Sequence, residues 1–236
     1  MRKFIPKILQ YIIEFFFAVS VLSITIMGYI ICFVPFLKKE QFLHAPAWIV
    51  YFFTKYIARI RCDYPTFPKH TIFAPLHHTL TETALLFYHY NPIFVIKADA
   101  LFYPFFGFFF YHCPSAIIVR RDRMTFNALH SLIEERSQDG RPIMLFPEGT
   151  RTLPNQPTKC KALTYTLLRS LPHKTLVPLI HNWRDFASAK RITFHATGYC
   201  TMYTLPPMKY QGERGRDFLE NLNDLFNKEK KKCYHQ

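Results

Sequence analysis

Apolar positions fall into two regimes along this chain. The first is a single uncharged run, FFFAVSVLSITIMGYIICFVPFL at 15–37, about 23 residues long and therefore long enough to cross a hydrocarbon core, which takes about 20. A signal peptide would have a shorter apolar region and small residues at a cleavage site, where this run has Val34, Pro35 and Phe36, which are poor for cleavage. Arg2, Lys3 and Lys7 precede the run and Lys38 and Lys39 follow it, so the charge balance gives no orientation. Two arrangements fit: a spanning helix, or a re-entrant hairpin whose second, amphipathic helix at 47–60 lies in the interface. Trp48, Tyr51 and Tyr56 would then sit at headgroup depth.

The second regime begins at Thr71, where short apolar runs alternate with helical patterns. Strands are expected at 71–74, 93–96, 116–119, 142–146, 175–180 and 191–196, and helices at 81–89, 125–136 and 161–169, with an amphipathic helix at 217–232. This alternation predicts an α/β fold, a mainly parallel sheet flanked by helices, with an N-terminal membrane-anchoring helix or helical hairpin. The expected division is 1–62 as a membrane-associated helical segment and 63–236 as the catalytic domain. One stretch, LFYPFFGFFFY at 101–111, is too short to span a bilayer. It is either buried core or a helix that touches the membrane or walls an acyl channel.

Composition shifts this picture toward lipid. Half the residues are hydrophobic and 25 are Phe, more than a typical soluble domain carries. The net charge of +14 implies an anionic partner: nucleic acid, an anionic membrane or a phosphorylated substrate. The apolar excess favours membrane and lipid phosphate, and no nucleic-acid-binding motif is present, so nucleic acid is not an expected partner. The basic run at 228–232 reads as a solvated or membrane-touching tail. Cysteines 32, 62, 113, 160, 200 and 233 form no C-x-x-C pair, which argues against a metal site or disulfide framework and fits free thiols.

The chemistry gathers at the carboxyl ends of the expected strands. His77 and His78 lie on the turn after the strand at 71–74, and Glu82 follows His77 by five residues, within reach of its imidazole. A carboxylate on one ring nitrogen leaves the other able to take a proton from a hydroxyl. Thr79 and Glu82 also have the spacing of a helix capping box, which would use the same carboxylate structurally. Lys97, Arg120 and Arg121, and the Glu148, Gly149, Thr150, Arg151 loop follow other strands and would return to the same rim. Arginine forks suit phosphate oxygens, and glycine lets backbone amides approach an anion.

With its H-x4-E at His77 to Glu82, KADALFYPFFG at 97–107, AIIVRR at 116–121, FPEGTRT at 146–152 and VPLI at 177–180, the chain resembles the glycerolipid acyltransferases, the family of bacterial 1-acylglycerol-3-phosphate acyltransferases. The family's usual acid is aspartate and here it is Glu82; Leu76 replaces the asparagine often found before the histidine. The resemblance implies transfer of a fatty acyl group from acyl-CoA or acyl-carrier protein to a lysophospholipid, giving phosphatidic acid in phospholipid synthesis. No further cofactor and no metal is expected, since the donor is a co-substrate. His77 would be the base, Glu82 its partner, and Lys97, Arg120, Arg121, Glu148, Gly149, Thr150 and Arg151 the site for acceptor phosphate and glycerol. The expected location is the bacterial inner membrane, with the active site on the cytoplasmic face. Alternative readings are a different acceptor, glycerol-3-phosphate or a lyso-aminolipid, or a catalytically silent lipid-binding membrane protein.

Overall fold

A computed structural model describes residues 3–32, 44–102, 107, 111, 113, 115–119, 126–153, 156–187 and 194–234. Within them β1 (Lys3–Phe4) leads into α1 (Lys7–Cys32) and α2 (Ala45–Phe52), which continues as a π-turn over Phe53–Ile57 before β2 (Ile60–Cys62). Then come β3 (Thr71–Pro75), α3 (Leu80–Tyr90), β4 (Ile93–Lys97), β5 (Ala116–Val119), α4 (Phe126–Arg136), β6 (Ile143–Met144) and α5 (Ala162–Ser170). The chain closes with β7 (Thr175–His181), β8 (Ala196–Cys200), β9 (Met202–Thr204) and α6 (Gly215–Tyr234).

Six strands form the main sheet in the order β5-β4-β6-β3-β7-β9. All neighbours are parallel except β9, which runs antiparallel to β7. The sheet is buried on both faces, and its side chains sort by the two-residue period of a strand. Ile72, Ala74, Ile93, Ile117, Ile143 and Leu176 pack toward α4, α5 and α6, through Leu129, Ile133, Leu167, Leu168, Phe218 and Phe226. Phe73, Phe94, Ala116, Met144 and Leu179 point the other way, toward Leu86 and Phe87 of α3 and Ala47 of α2. The expected parallel α/β architecture is thus present, with helices on both faces.

A smaller sheet, β1-β8-β2, and a second apolar cluster tie the N-terminal segment to the rest. Ile13 and Phe17 of α1, Ile49, Val50 and Phe53 pack with Leu85, Trp183, Phe186 and Phe194. The opposite side of α1 is apolar and exposed: Ile8 is 76% accessible and Phe15 64%. Among the described residues no helix is long and apolar enough to cross a membrane. The run at 15–37 lies in α1 as far as Cys32, and 33–37 fall outside the described residues.

Several boundaries differ from the expectations. The helix expected at 47–60 ends at Ile57, because residues 60–62 pair in parallel with β8. The strand expected at 191–196 is instead β8, beginning at Ala196, while 191–193 lie outside the described residues. Of the aromatic stretch at 101–111, Leu101 and Phe102 end a 3-10 turn and Gly107 and Tyr111 are helical, and the other residues are not described. The basic run at 228–232 is no solvated tail throughout, since α6 docks by Phe218, Leu222, Phe226 and Cys233, and Lys230 is only 3% exposed.

Candidate active site

Because β3, β4, β5 and β6 are parallel, their carboxyl ends open on one edge of the sheet. Pro75 at the end of β3 stands level with Leu179, and Lys97 at the end of β4 with Val119. The chain past β3 is held down by the Leu76 amide, which donates to Leu179 O at 3.2 Å. His77 follows at the turn, where loops of such sheets collect ligands.

Glu82 reaches the turn from the first coil of α3. Thr79 is the N-cap, its hydroxyl accepting from the Glu82 amide at 3.2 Å. The carboxylate folds back over the helix start: Oε1 lies 2.8 Å from His77 Nδ1 and accepts the His78 amide at 2.6 Å. The same side chain therefore caps the turn and holds the imidazole. The longer glutamate loses nothing in reach, and with Nδ1 engaged, Nε2 is the nitrogen left to accept a proton. The His77 ring lies against Phe146, centroids 4.0 Å apart, which limits its rotation.

The loop after β6 meets this turn from the far side. Glu148, 2% exposed, accepts the His77 amide on Oε2 at 3.1 Å and the Thr152 hydroxyl on Oε1 at 2.5 Å. The Thr152 amide donates to His77 O at 2.9 Å, and Thr152 O lies 3.1 Å from His78 Nδ1. Gly149 has φ +65°, a conformation that suits glycine, and its amide closes a turn onto Phe146 O. Oε2 of Glu148 thus joins the two loops, while Oε1 braces its own loop through Thr152. Thr150 is exposed and Arg151 half-buried beside it.

Charge is distributed unevenly here. Burial drives His77 down to about 3, the Arg151 and Lys97 cations push the same way, and Glu148 opposes them. The imidazole is consequently neutral at physiological pH, as a general base must be. Burial lifts Glu82 to about 7, against the pull of His181 and of the His78 and Thr79 amides. His78 is pushed well down, by burial and then by His181.

Of the residues singled out in the sequence, His77, Glu82, Glu148, Gly149 and Arg151 come together. Thr150 borders them, and Lys97 is exposed on the same rim within electrostatic reach of His77. Arg120 and Arg121 lie outside the described residues. Sequence reasoning missed His181, fully buried, whose Nε2 donates to Leu76 O at 2.8 Å and stands 3.6 Å from Glu82 Oε2. Its place directly after VPLI, at the carboxyl end of a central strand, was the available signal. Thr152 was also missed, though it follows Arg151 in the same motif.

A family profile described as Acyltransferase matches residues 66–181, the span that contains every residue of this cluster. No match of significance arises among curated proteins. Among solved structures, the chain is similar to the crystal structure of the 1-acyl-sn-glycerophosphate (LPA) acyltransferase PlsC from Thermotoga maritima, with TM-score 0.65 and 18% identity over 98% of each chain.

Proposed function

We propose, from the acyltransferase family profile that matches residues 66–181, that the chain transfers a fatty acyl group from acyl-CoA or acyl-carrier protein to the free hydroxyl of 1-acylglycerol-3-phosphate, giving phosphatidic acid. The carrying observation is the His77 imidazole, held at Nδ1 by buried Glu82 at 2.8 Å and facing the charges of Arg151 and Lys97. The likeness to the Thermotoga lysophosphatidic acid acyltransferase supports the choice of acceptor.

His77 Nε2 takes the proton of the glycerol hydroxyl as that oxygen attacks the thioester carbonyl. Glu82 stabilises the resulting imidazolium through Nδ1–H. The tetrahedral intermediate expels the donor's sulfur, and the imidazolium returns the proton to the leaving thiolate. An ester C–O bond has formed, a thioester C–S bond has broken, and the protein is unchanged. Lys97 and Arg151, with Arg120 and Arg121, hold the acceptor's phosphate, and the amides around Gly149 and Thr150 border it.

Purified protein given radiolabelled lysophosphatidic acid and a series of acyl-CoA and acyl-carrier-protein donors should form phosphatidic acid. Acylation of glycerol-3-phosphate or a lyso-aminolipid in its place would move the acceptor. Lipid binding with no transfer to any acceptor would leave a silent lipid-binding protein. Arg151→Ala should raise KM for lysophosphatidic acid by about tenfold or more, because a charge-assisted phosphate contact is lost. A rise confined to the donor's KM would remove Arg151 from the acceptor site.

The proposed location is the cytoplasmic face of the bacterial inner membrane, with the apolar side of α1 as the contact. Ile8 and Phe15 stand out from the protein, and each apolar side chain buried in lipid contributes about 1.5–3 kcal/mol. Phe15→Glu or Ile8→Glu should therefore lower co-sedimentation with phosphatidylglycerol vesicles by about tenfold. Undiminished sedimentation of both variants would place the contact elsewhere.

A further inference from the structure

The C-terminal helix carries a polar row that nothing in the catalytic reading uses. Asn223, Asn227 and Lys230 are four and three residues apart on α6, hence on one face. Each grips the backbone of one extended segment. Asn223 Oδ1 accepts the Cys160 amide at 2.7 Å, and Asn227 Oδ1 accepts the Thr158 amide at 2.7 Å while its Nδ2 donates to Thr158 O at 3.5 Å. Lys230 Nζ donates to Gln156 O at 2.7 Å.

That segment is the return limb of the loop bearing Arg151. The loop closes at its base where the Lys161 amide donates to Pro147 O at 2.8 Å. Its outgoing limb is tied to the His77 turn by Glu148 and Thr152. One limb thus rests on the catalytic turn and the other on α6, with Arg151 on the limb tied to the turn. Lys230 is also in electrostatic contact with Glu148 and His78, so the grip reaches the layer directly beneath the base. A loop of this length would otherwise be free to drift, and four side-chain bonds to its backbone, shielded in part from water, remove that freedom.

We infer that the Asn223, Asn227, Lys230 row is a clamp that positions the Arg151 loop, and so sets affinity for the phosphorylated acceptor from outside the span matched by the family profile. All three act through the loop and are positioning residues. The inference rests on the acyltransferase reading for its kinetic consequence and on hydrogen bonding alone for its structural one.

The test uses the full chain carrying Asn227→Ala, Lys230→Met or Lys230→Arg, with Phe218→Leu as a control that loosens the same helix from its apolar side. Amide hydrogen exchange over residues 148–160 and separate KM values for acceptor and donor are measured. Asn227→Ala and Lys230→Met should speed exchange in the loop by about tenfold and raise the acceptor's KM by about five- to tenfold, with the donor's KM unchanged. Lys230→Arg should recover most of the affinity, and Phe218→Leu should lower Tm without changing the acceptor's KM. Unchanged loop exchange in Asn227→Ala and Lys230→Met overturns the clamp. So does faster exchange with an unchanged acceptor KM, or a control that behaves as they do. Failure of the functional reading looks different: the unsubstituted protein transfers to no phosphorylated acceptor, and loop exchange alone then decides whether the clamp exists.

Discussion

His77→Ala should lower kcat by about two to four orders of magnitude, the range for removing a general base, while leaving the cooperative unfolding transition nearly where it was. The side chain sits at a turn, and its ring interactions are the contact with Glu82, the stacking on Phe146 and the charges around it. The bonds that join the two loops at this residue belong to its backbone: its amide donates to Glu148 and its carbonyl accepts from Thr152, and alanine keeps both. Loss of activity with retained fold is thus the signature of lost chemistry. His78→Ala is the informative companion, because His78 is wholly buried, with Nδ1 3.1 Å from Thr152 O. It should cost stability, read as a lower urea midpoint. A His77→Ala enzyme that still turns over at the unsubstituted rate would move the base elsewhere.

Much of this architecture was legible because the central strands are short apolar runs whose alternate residues feed two different cores. Ile72 and Ala74 face one and Phe73 the other, and no local alternative competes with such a pattern. The His77 to Glu82 spacing was legible for a similar reason, since both ends lie on one strand-turn-helix unit. Pairings between distant segments were not. Residues 60–62 become a strand only because Gly198 to Cys200 lie beside them, and β9 exists by pairing with β7. Lys230 escaped notice for a subtler reason. It lies four residues after Phe226 on the buried stripe of α6, but within a basic run that suggested solvent, and the backbone carbonyl of Gln156 and the charge of Glu148 compensate its burial. Hydropathy alone does not show how the apolar run at 15–37 is divided: Phe17 packs with α2 and Trp183, while Phe15, Phe16 and Val19 stay exposed.

Glu82→Gln should reduce kcat about a hundredfold or more and should also change the shape of the pH profile, and the second effect separates its two duties. Between the low value of His77, about 3, and the raised value of Glu82, about 7, the pair holds one exchangeable proton between them. Only when that proton leaves is the carboxylate charged while Nδ1–H points at it and Nε2 is bare, which is the form that can deprotonate a hydroxyl. The rate should therefore climb through about pH 7, and the step belongs to the pair. Sign and window follow for stability too. From about 4.5 to 6.5 the unfolded chain carries the proton on His77 and the folded chain on the pair, so the two shifts offset and stability is flat. Below about 4.5 the unfolded chain takes a second proton that the folded pair refuses until about 3, and stability falls with falling pH. Glutamine still caps α3 through its amide oxygen but cannot charge, so the acid limb should move well below 7 as the maximal rate drops. Glu82→Asp keeps the charge on a shorter arm and should retain both the limb and a measurable rate. A folded Glu82→Gln enzyme with the unsubstituted rate and an unmoved limb would leave Glu82 as a helix cap alone.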